Sequence, residues 1–334
     1  MKGIAICAML CHHLYACPPE GVEPYSGVLH WIGVLGKVCV ALFLFCSGYG
    51  LAASYTPISV IEDLKFIGRR LVKFYLNYWV IFLIFVPITV FVFHRPLYAA
   101  YGENNVWLNL ILDVFGMQGF DSYNITWWFN KLIITLYLLF PMLYRLVKIQ
   151  PWIVLLIGFA LMRFESHMPG SYVKILTWQN SFVLGLFWKL SEHKGLSVQE
   201  WIVKHNVLSI GISFILLIGI IIIRMYPIIP HWGGTRIDGF LSCAIALSVF
   251  FILRPLKHVK NVFAYLGKHS INIYLIHSFF NGLWCPEWLH AGEWLRGGGN
   301  FAILMLICLA ISIGIECAKN KLGLYKLMNT ITKK

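Results

Sequence analysis

Long apolar runs recur along the whole chain and constrain its fold more than any other feature. The runs cover 2–17, 32–54, 71–93, 126–147, 151–167, 173–190, 207–226, 236–254, 264–284 and 300–318. A helix needs about 20 apolar residues to cross the hydrocarbon core of a bilayer, and most of these runs approach that length. The 334 residues are 59% hydrophobic and 12% charged, whereas a soluble domain is about 25% charged. The sequence therefore predicts an all-α polytopic transmembrane bundle of about ten helices.

The cationic residues are distributed as in a membrane protein rather than a nucleic-acid-binding protein. Lys and Arg outnumber Asp and Glu by 27 to 14, but they lie in short clusters between alternate apolar runs, such as 65–73 and 257–268. Because Lys and Arg accumulate in cytoplasmic loops, both termini are predicted to be cytoplasmic. The first of these clusters belongs to an amphipathic segment, 59–73, which is predicted to lie on the cytoplasmic membrane surface. We expect no nucleic-acid partner.

The chain shows no internal repeat, low-complexity tract or linker. Residues 1–334 are therefore expected to form a single membrane-embedded domain with no appended soluble domain. The first residues lack the pattern of a cleavable signal peptide, and the predicted location is the cytoplasmic (plasma) membrane, with the lipid bilayer as partner. The nine cysteines show no metal-ligand spacing, so no metal is predicted. Nothing in the sequence indicates an oligomeric state.

The predicted outer loops are acidic and aromatic. The longest, 94–125, contains Glu103, Trp107, Asp113 and Asp121. Carboxylates and aromatic rings at a membrane surface suit a polyhydroxyl ligand such as a sugar. Aromatic residues at this depth also form the ordinary interfacial belt, and both interpretations stay open.

The first apolar run contains a lysine and a pair of histidines. Lys2 and His13 are eleven residues apart, about three turns of an α-helix, so they are predicted to share one face about 16 Å apart along the axis. His12 points about 100° away from His13 and is predicted to orient or pack. An ionisable residue within a membrane span is a functional candidate. The alternative is that Lys2 is only a surface anchor and the histidines only pack between helices.

Other polar side chains are predicted to lie at membrane depth. Arg236 and Asp238 begin the eighth run, and each could line a polar cavity. Asn130 lies at the start of the fourth run and His277 lies within the ninth. Glu316 lies near the cytoplasmic end of the last run, where a solvated helix terminus is the expected environment.

Two sequence patterns lie in the first two runs. The first run has Lys2, ten intervening residues and His13. The second ends in Phe43–Leu51, where Ser47 and Gly48 interrupt an aromatic stretch. Small residues at such a place allow two helices to approach closely.

Two further patterns follow in the fourth and ninth runs. The fourth opens with two tryptophans and continues to a Tyr-Leu-Leu-Phe-Pro element, residues 127–141. The ninth contains Ser-x-x-Ile-Tyr-Leu-x-His, from Ser270 to His277. In this order, the four stretches resemble the integral-membrane acyltransferase family 3, which includes O-antigen and other polysaccharide O-acetyltransferases.

The resemblance implies transfer of an acyl group, usually acetyl, from cytoplasmic acetyl-CoA or another acyl-CoA. The acceptor would be a hydroxyl group of a carbohydrate or other cell-envelope molecule. Acyl-CoA is then a donor substrate, and no permanently bound cofactor is expected. The chain has Lys2 where the family more often has Arg, which keeps the charge but loses the bidentate fork of a guanidinium.

The resemblance and the chemistry together suggest a role for each candidate. An imidazole titrates near neutral pH, so His13 is predicted to be the general base that takes the proton of the acceptor hydroxyl. Lys2 is predicted to hold a phosphate or the thioester end of the donor as a point charge. The candidates for substrate binding are Ser47, Trp128, Arg236, Asp238 and His277, and the secondary candidates are His12, Tyr274 and Asn130. His277 is also an alternative base, and a relay through an acyl-Ser47 ranks behind direct transfer because the sequence places no base beside that hydroxyl.

Two other classes of function compete with the enzyme. A proton-coupled transporter or flippase of a small molecule or glycan would use the same buried polar residues. Transporters, however, often show inverted repeats with helices broken at matching positions, and no such pairing occurs here. A sensor or scaffold without chemistry is the third interpretation, and a histidine and a lysine on one predicted face argue weakly against it.

Overall fold

A computed structural model describes residues 1–162, 170–192, 206–225, 235–253, 255–284 and 286–332. Every regular element in these ranges is a helix and none is a strand, which confirms the all-α class. Four helical stretches within them are long and apolar enough to cross a bilayer: Gly27–Ser54, Val60–Phe91, Ile125–Ile149 and Leu295–Lys321. The chain is an integral membrane protein. The parts of the predicted spans that fall on 163–167, 226 and 254 lie outside the described residues.

The first half of the chain forms eight α-helices. They are α1 (Lys2–Cys11), α2 (Gly27–Gly36), α3 (Cys39–Ser54), α4 (Val60–Phe91), α5 (Leu97–Tyr101), α6 (Val106–Val114), α7 (Trp128–Ile149) and α8 (Pro151–Leu161). Short 3₁₀ turns cover Gly119–Asp121 and Ile125–Trp127.

The second half contributes eight more among the described residues. They are α9 (Gly170–Ser191), α10 (Asn206–Met225), α11 (Thr235–Leu253), α12 (Lys257–Lys268), α13 (Ser270–Ser278), α14 (Pro286–His290), α15 (Asn300–Lys321) and α16 (Leu324–Thr332). Three π-helical turns complete the list: π1 (His12–Ala16), π2 (Phe279–Leu283) and π3 (Leu295–Gly299).

Two compact units divide the chain. Unit 1 comprises Met1–Ala5, Lys37–Pro57 and Leu139–Gly267. Unit 2 comprises Ile6–Gly36, Ile58–Leu138 and Lys268–Lys334.

In unit 1, α3 and α9 pack through a reciprocal pair of glycines. A Cβ added to Gly48 would lie 2.1 Å from the carbonyl oxygen of Phe182, and one added to Gly185 would lie 2.1 Å from that of Phe45. Neither position can hold a side chain without moving a backbone, so the two helices are in direct main-chain contact. The predicted close approach beside Ser47 is confirmed.

In unit 2, α4 joins the predicted surface segment 59–73 and the predicted span 71–93 into one helix of 32 residues. Ser59 caps its start by accepting a hydrogen bond from the backbone N–H of Glu62, at 3.3 Å. No proline or glycine pair interrupts it before Pro87, so the helix continues without a break. The ninth predicted span, in contrast, is divided at His269, which separates α12 from α13.

The long outer loop of unit 2 is anchored by one buried carboxylate. Asp113 Oδ2 accepts from the hydroxyl of Tyr101 at 2.8 Å and from the backbone N–H of Tyr123 at 2.7 Å. The hydroxyl of Tyr78, on α4, donates to the Asp113 carbonyl oxygen at 2.6 Å. Asp113 is fully buried, so it holds the loop against α4 and is not available to a sugar.

Candidate functional site

His13 lies in a π-helical turn and not in the α-helix that precedes it. The turn packs against α2 at two glycines: a Cβ on Gly33 would lie 2.6 Å from the backbone nitrogen of Ala16, and one on Gly36 would lie 2.3 Å from the Ala8 carbonyl oxygen. His12 is buried and its Nδ1–H donates to the Gly33 carbonyl oxygen at 2.9 Å. This contact agrees with an orienting role for His12. Because the helix widens at His12, regular α-helical spacing from Lys2 does not extend through His13.

His277, on α13, faces His13 within unit 2. Their ring centroids are 4.9 Å apart with an interplanar angle of 49°. His13 is half-buried, whereas His277 has no exposed surface. The sequence separates these rings widely, and only the packing of π1 against the α13–π2 segment brings them together.

The tautomer of His277 follows from the contact of its Nδ1 with the main chain. Its Nδ1 lies 2.8 Å from the carbonyl oxygen of Tyr274, which can only accept, so Nδ1 holds the proton. In the neutral ring, Nε2 then presents a lone pair. This buried nitrogen has no hydrogen-bond partner among the described residues. An unpartnered buried acceptor is costly, and it fits a group that receives a proton from a substrate or from a neighbouring ring.

Trp127 and Tyr274 hold α13 in place. Trp127 is fully buried and its Nε1–H donates to the Leu275 carbonyl oxygen at 3.0 Å. Tyr274 donates to the Thr126 carbonyl oxygen at 3.0 Å and lies 3.2 Å from Asn130 Oδ1. Trp128, the predicted substrate-binding ring, is half-buried and stacks on Phe120 with centroids 5.4 Å apart.

A second polar group of unit 2 surrounds the buried ammonium of Lys319 and contains Glu316, whose side chain keeps 30% of its surface exposed near the helix end and is also hydrogen-bonded. We define the lysine cluster as Asn77, Asn272, Glu316, Lys319 and Tyr325. Lys319 Nζ donates to Asn77 Oδ1 at 2.7 Å, to Asn272 Oδ1 at 3.0 Å and to Glu316 Oε1 at 2.9 Å. Asn272 and Tyr325 also donate to the Glu316 carboxylate. Glu316 and Lys319 share one face of α15 at i,i+3 spacing, which brings the carboxylate inward with the buried ammonium.

The remaining predicted residues belong to unit 1. Lys2 is exposed at the first position of α1, beside α12, where a Cβ on Gly267 would lie 3.6 Å from the Lys2 Cβ. Ser47 is half-buried on α3. Asp238 is fully buried in the first turn of α11. Arg236 is in the same turn, and its side chain lies outside the described residues.

Comparison with known proteins gives one match. The model of acyltransferase family 3, described as an acyltransferase domain, matches residues 1–317. The chain belongs to acyltransferase family 3. It is therefore a membrane acyltransferase. No curated protein and no solved structure matches the chain.

Sequence reasoning missed two residues that contact the site of this acyltransferase. The side chain of Asn281, on π2, reaches the backbone of His13, and His290, on α14, binds Asn281. Asn281 follows His277 by four residues, so helical spacing alone would have placed both on one face. His290 lies in a predicted outer loop, and no local pattern connects it to the site.

Proposed function

We propose that the chain is a membrane O-acyltransferase that moves an acetyl or other acyl group from cytoplasmic acyl-CoA to a hydroxyl of a carbohydrate or cell-envelope acceptor. Family membership supports acyl transfer in general. The observation that carries the finer proposal is the imidazole pair of unit 2, in which the rings of His277 and His13 lie 4.9 Å apart and Nε2 of His277 has no partner among the described residues. Such a pair is suited to removing a proton from a hydroxyl.

The reaction requires one proton acceptor near the thioester. As the hydroxyl oxygen attacks the carbonyl carbon, the C–O bond forms and the C–S bond breaks. We assign the hydroxyl proton to His13, the more accessible ring, which then returns it to the departing thiolate of CoA. His277 is the adjacent imidazole that can share the proton with His13 or replace it as base. General acid–base catalysis of this kind contributes about 10²- to 10⁴-fold.

The substrate contacts expected from the sequence are retained as proposals. Lys2 would hold a phosphate or the thioester end of acyl-CoA. The acceptor or the pantetheine arm would contact Ser47, Trp128, Arg236, Asp238 or His277, with His12, Tyr274 and Asn130 as secondary candidates.

The decisive experiment is transfer of radiolabelled acetyl from acetyl-CoA to candidate glycans by the purified protein. His13→Ala is expected to lower the rate at least 10²-fold, with expression and thermal stability unchanged. His258→Ala is the matched control because His258 is exposed on α12. Wild-type rates in His13→Ala would end the assignment of His13 as base. Vesicle uptake of a labelled glycan without acetyl transfer would instead favour the transporter.

We also propose about ten spans with both termini cytoplasmic, in the cytoplasmic (plasma) membrane. The alternation of Lys- and Arg-rich loops supports this orientation. Accessibility of single cysteines introduced in the 94–125 loop and in the 65–73 cluster tests it. Labelling from the same side of the membrane at both places would exclude the arrangement.

A further inference from the structure

The main chain of His13 has a carbonyl group that its own helix cannot satisfy. An α-helix would pair the His13 carbonyl oxygen with the backbone N–H of Cys17, four residues later. That N–H instead donates to the carbonyl oxygen of His12, five residues before it, at 3.1 Å in the π-helical pattern. The residue five positions after His13 is Pro18, which has no N–H. The His13 carbonyl therefore needs a donor from elsewhere in the fold.

Asn281 supplies that donor. Its Nδ2 lies 3.1 Å from the His13 carbonyl oxygen, and its Oδ1 accepts from Nε2–H of His290 at 3.1 Å. Both partners fix the orientation of the amide, because the carbonyl only accepts and the ring nitrogen is the donor. Asn281 is 4% exposed and His290 is 5% exposed, so water does not compete for either contact.

The contact to His290 is extended by three further side chains. His290 Nδ1 accepts from the hydroxyl of Tyr25 at 2.8 Å. The same hydroxyl accepts from Asn300 Nδ2 at 2.8 Å. Asn300 Oδ1 in turn accepts from the hydroxyl of Tyr15 at 3.1 Å. Tyr15 lies in π1, two residues after His13, so the chain of hydrogen bonds leaves the turn and returns to it.

The bonds of this chain are compatible with one protonation state only. Every donor meets an acceptor when His290 is neutral with its proton on Nε2. Burial lowers the pKa of His290, and the positive charge of Arg296 lowers it further. The guanidinium of Arg296 lies over the ring of Tyr25, 4.7 Å from its centroid. The neutral tautomer is thus the stable one near neutral pH.

We propose that Asn281 and His290 are positioning residues that hold the π-helical turn of His13 against His277, so that the imidazole pair keeps the geometry for proton transfer. This inference rests on the proposed function. Neither residue contacts the reacting atoms in the arrangement above. Their effect passes through the backbone of His13.

Steady-state kinetics of acyl transfer test the proposal through two pairs of variants. Asn281→Leu is expected to lower kcat about 10- to 100-fold, since small misplacements of a catalytic group cost that much, with KM for acetyl-CoA unchanged. His290→Leu should lower kcat about 10-fold. His290→Gln should recover activity to within about threefold, because its amide N–H replaces Nε2–H. Glu287→Gln is the control, since Glu287 is exposed on the same helix.

A second measurement is independent of turnover. The rate at which diethylpyrocarbonate modifies His13, followed by mass spectrometry, reports the environment of the ring. It should change at least threefold in Asn281→Leu and in His290→Leu, and return toward wild type in His290→Gln. If the modification rate changes in these variants but the wild-type protein transfers no acyl group, the positioning stands and the proposed function fails. Unchanged kcat and unchanged modification rates in Asn281→Leu would overturn the positioning.

Discussion

Unit 2 contains two polar groups that both include residues of the α13–π2 segment. They differ in how many of their buried polar atoms have hydrogen-bond partners. The lysine cluster contacts this segment at Asn272, near the start of α13. The histidine cluster, which we define as His13, His277, Asn281 and His290, contacts it at the other end. No buried side-chain nitrogen or oxygen of the lysine cluster lacks a partner, whereas Nε2 of His277 has none among the described residues.

This difference indicates that one cluster stabilises the fold and that the other takes part in the reaction. A buried polar atom without a partner costs about 1–3 kcal/mol, so its persistence calls for a function. A buried ammonium surrounded by three acceptors has its bonds complete and has nothing to offer a substrate. We therefore expect substitutions in the histidine cluster to reduce activity and substitutions in the lysine cluster to reduce stability.

The largest effect is expected at His277. His277→Leu removes the unpartnered acceptor and should lower the rate of acyl transfer about 10²- to 10⁴-fold. The thermal midpoint in detergent should stay the same or rise, because an uncompensated polar atom is lost from the interior. A variant that is fully active, or one that unfolds, would remove the contrast between the two clusters.

Lys319→Ala should have the opposite signature. Lys319 is 3% exposed and Glu316 is 30% exposed, so removal of the ammonium leaves a partly solvated carboxylate unpaired, which we expect to cost about 2 kcal/mol of unfolding free energy. Reversible unfolding in a denaturing detergent measures the loss. Activity per folded molecule should stay within about twofold of wild type. Lys321→Ala, an exposed lysine on the same helix, is the control and should change neither quantity.

A double-mutant cycle sharpens the interpretation of the lysine cluster. Lys319→Met combined with Glu316→Gln removes both charges and should cost less than the sum of the two single substitutions. The coupling energy is expected to be about 1–3 kcal/mol, as for residues of one buried network. Additive single effects would mean that the two side chains are stabilised independently.

The smallest effect concerns the outer loop, where the carboxyl of Asp113 is both buried and partnered. Burial raises its pKa to about 6, above the value of about 3.9 in an unfolded chain. The folded protein therefore binds this proton more tightly than the unfolded chain does. The protonated carboxyl therefore contributes to the free energy of unfolding in full below about pH 4, and this stabilisation is lost as the pH rises through about 6.

Asp113→Asn isolates this titration from that of other groups. The stability of the wild type relative to Asp113→Asn should fall by about 1–2 kcal/mol between pH 4 and pH 7. Unfolding measured at several pH values for both proteins provides the test. A difference that rises with pH would show that the hydroxyl and N–H donors outweigh burial.

Much of the architecture could be predicted because hydropathy and charge are local properties of the chain. The all-α membrane fold and the close approach at Gly48 follow from patterns within single segments, and the family follows from four such patterns in order along the chain. The helix breaks could not be predicted in the same way. The turn at His12 and the interruption at His269 depend on what packs beside them, which hydropathy does not record.

In the candidate site, too, some residues could be predicted from the sequence and others depend on packing. His13 and His277 were both recognisable as membrane-buried imidazoles, and the role assigned to each stays a prediction. Asn281 was missed because its partner is 268 residues away. Glu316 keeps 30% of its side chain exposed near a helix end, but its contacts with Asn272 and Tyr325 could not be predicted because they join separate segments of the chain.

The amino-acid sequence by itself determined that this chain enters a membrane as helices and belongs to an acyltransferase family, because burial in lipid selects residues one segment at a time. The tertiary structure alone decided which polar groups meet. It places the imidazole of His277 against His13 without completing its hydrogen bonds, and it surrounds Lys319 with acceptors. The physical reason is that pairing between side chains depends on distances across the fold, and a buried polar atom is either satisfied there or left available for chemistry.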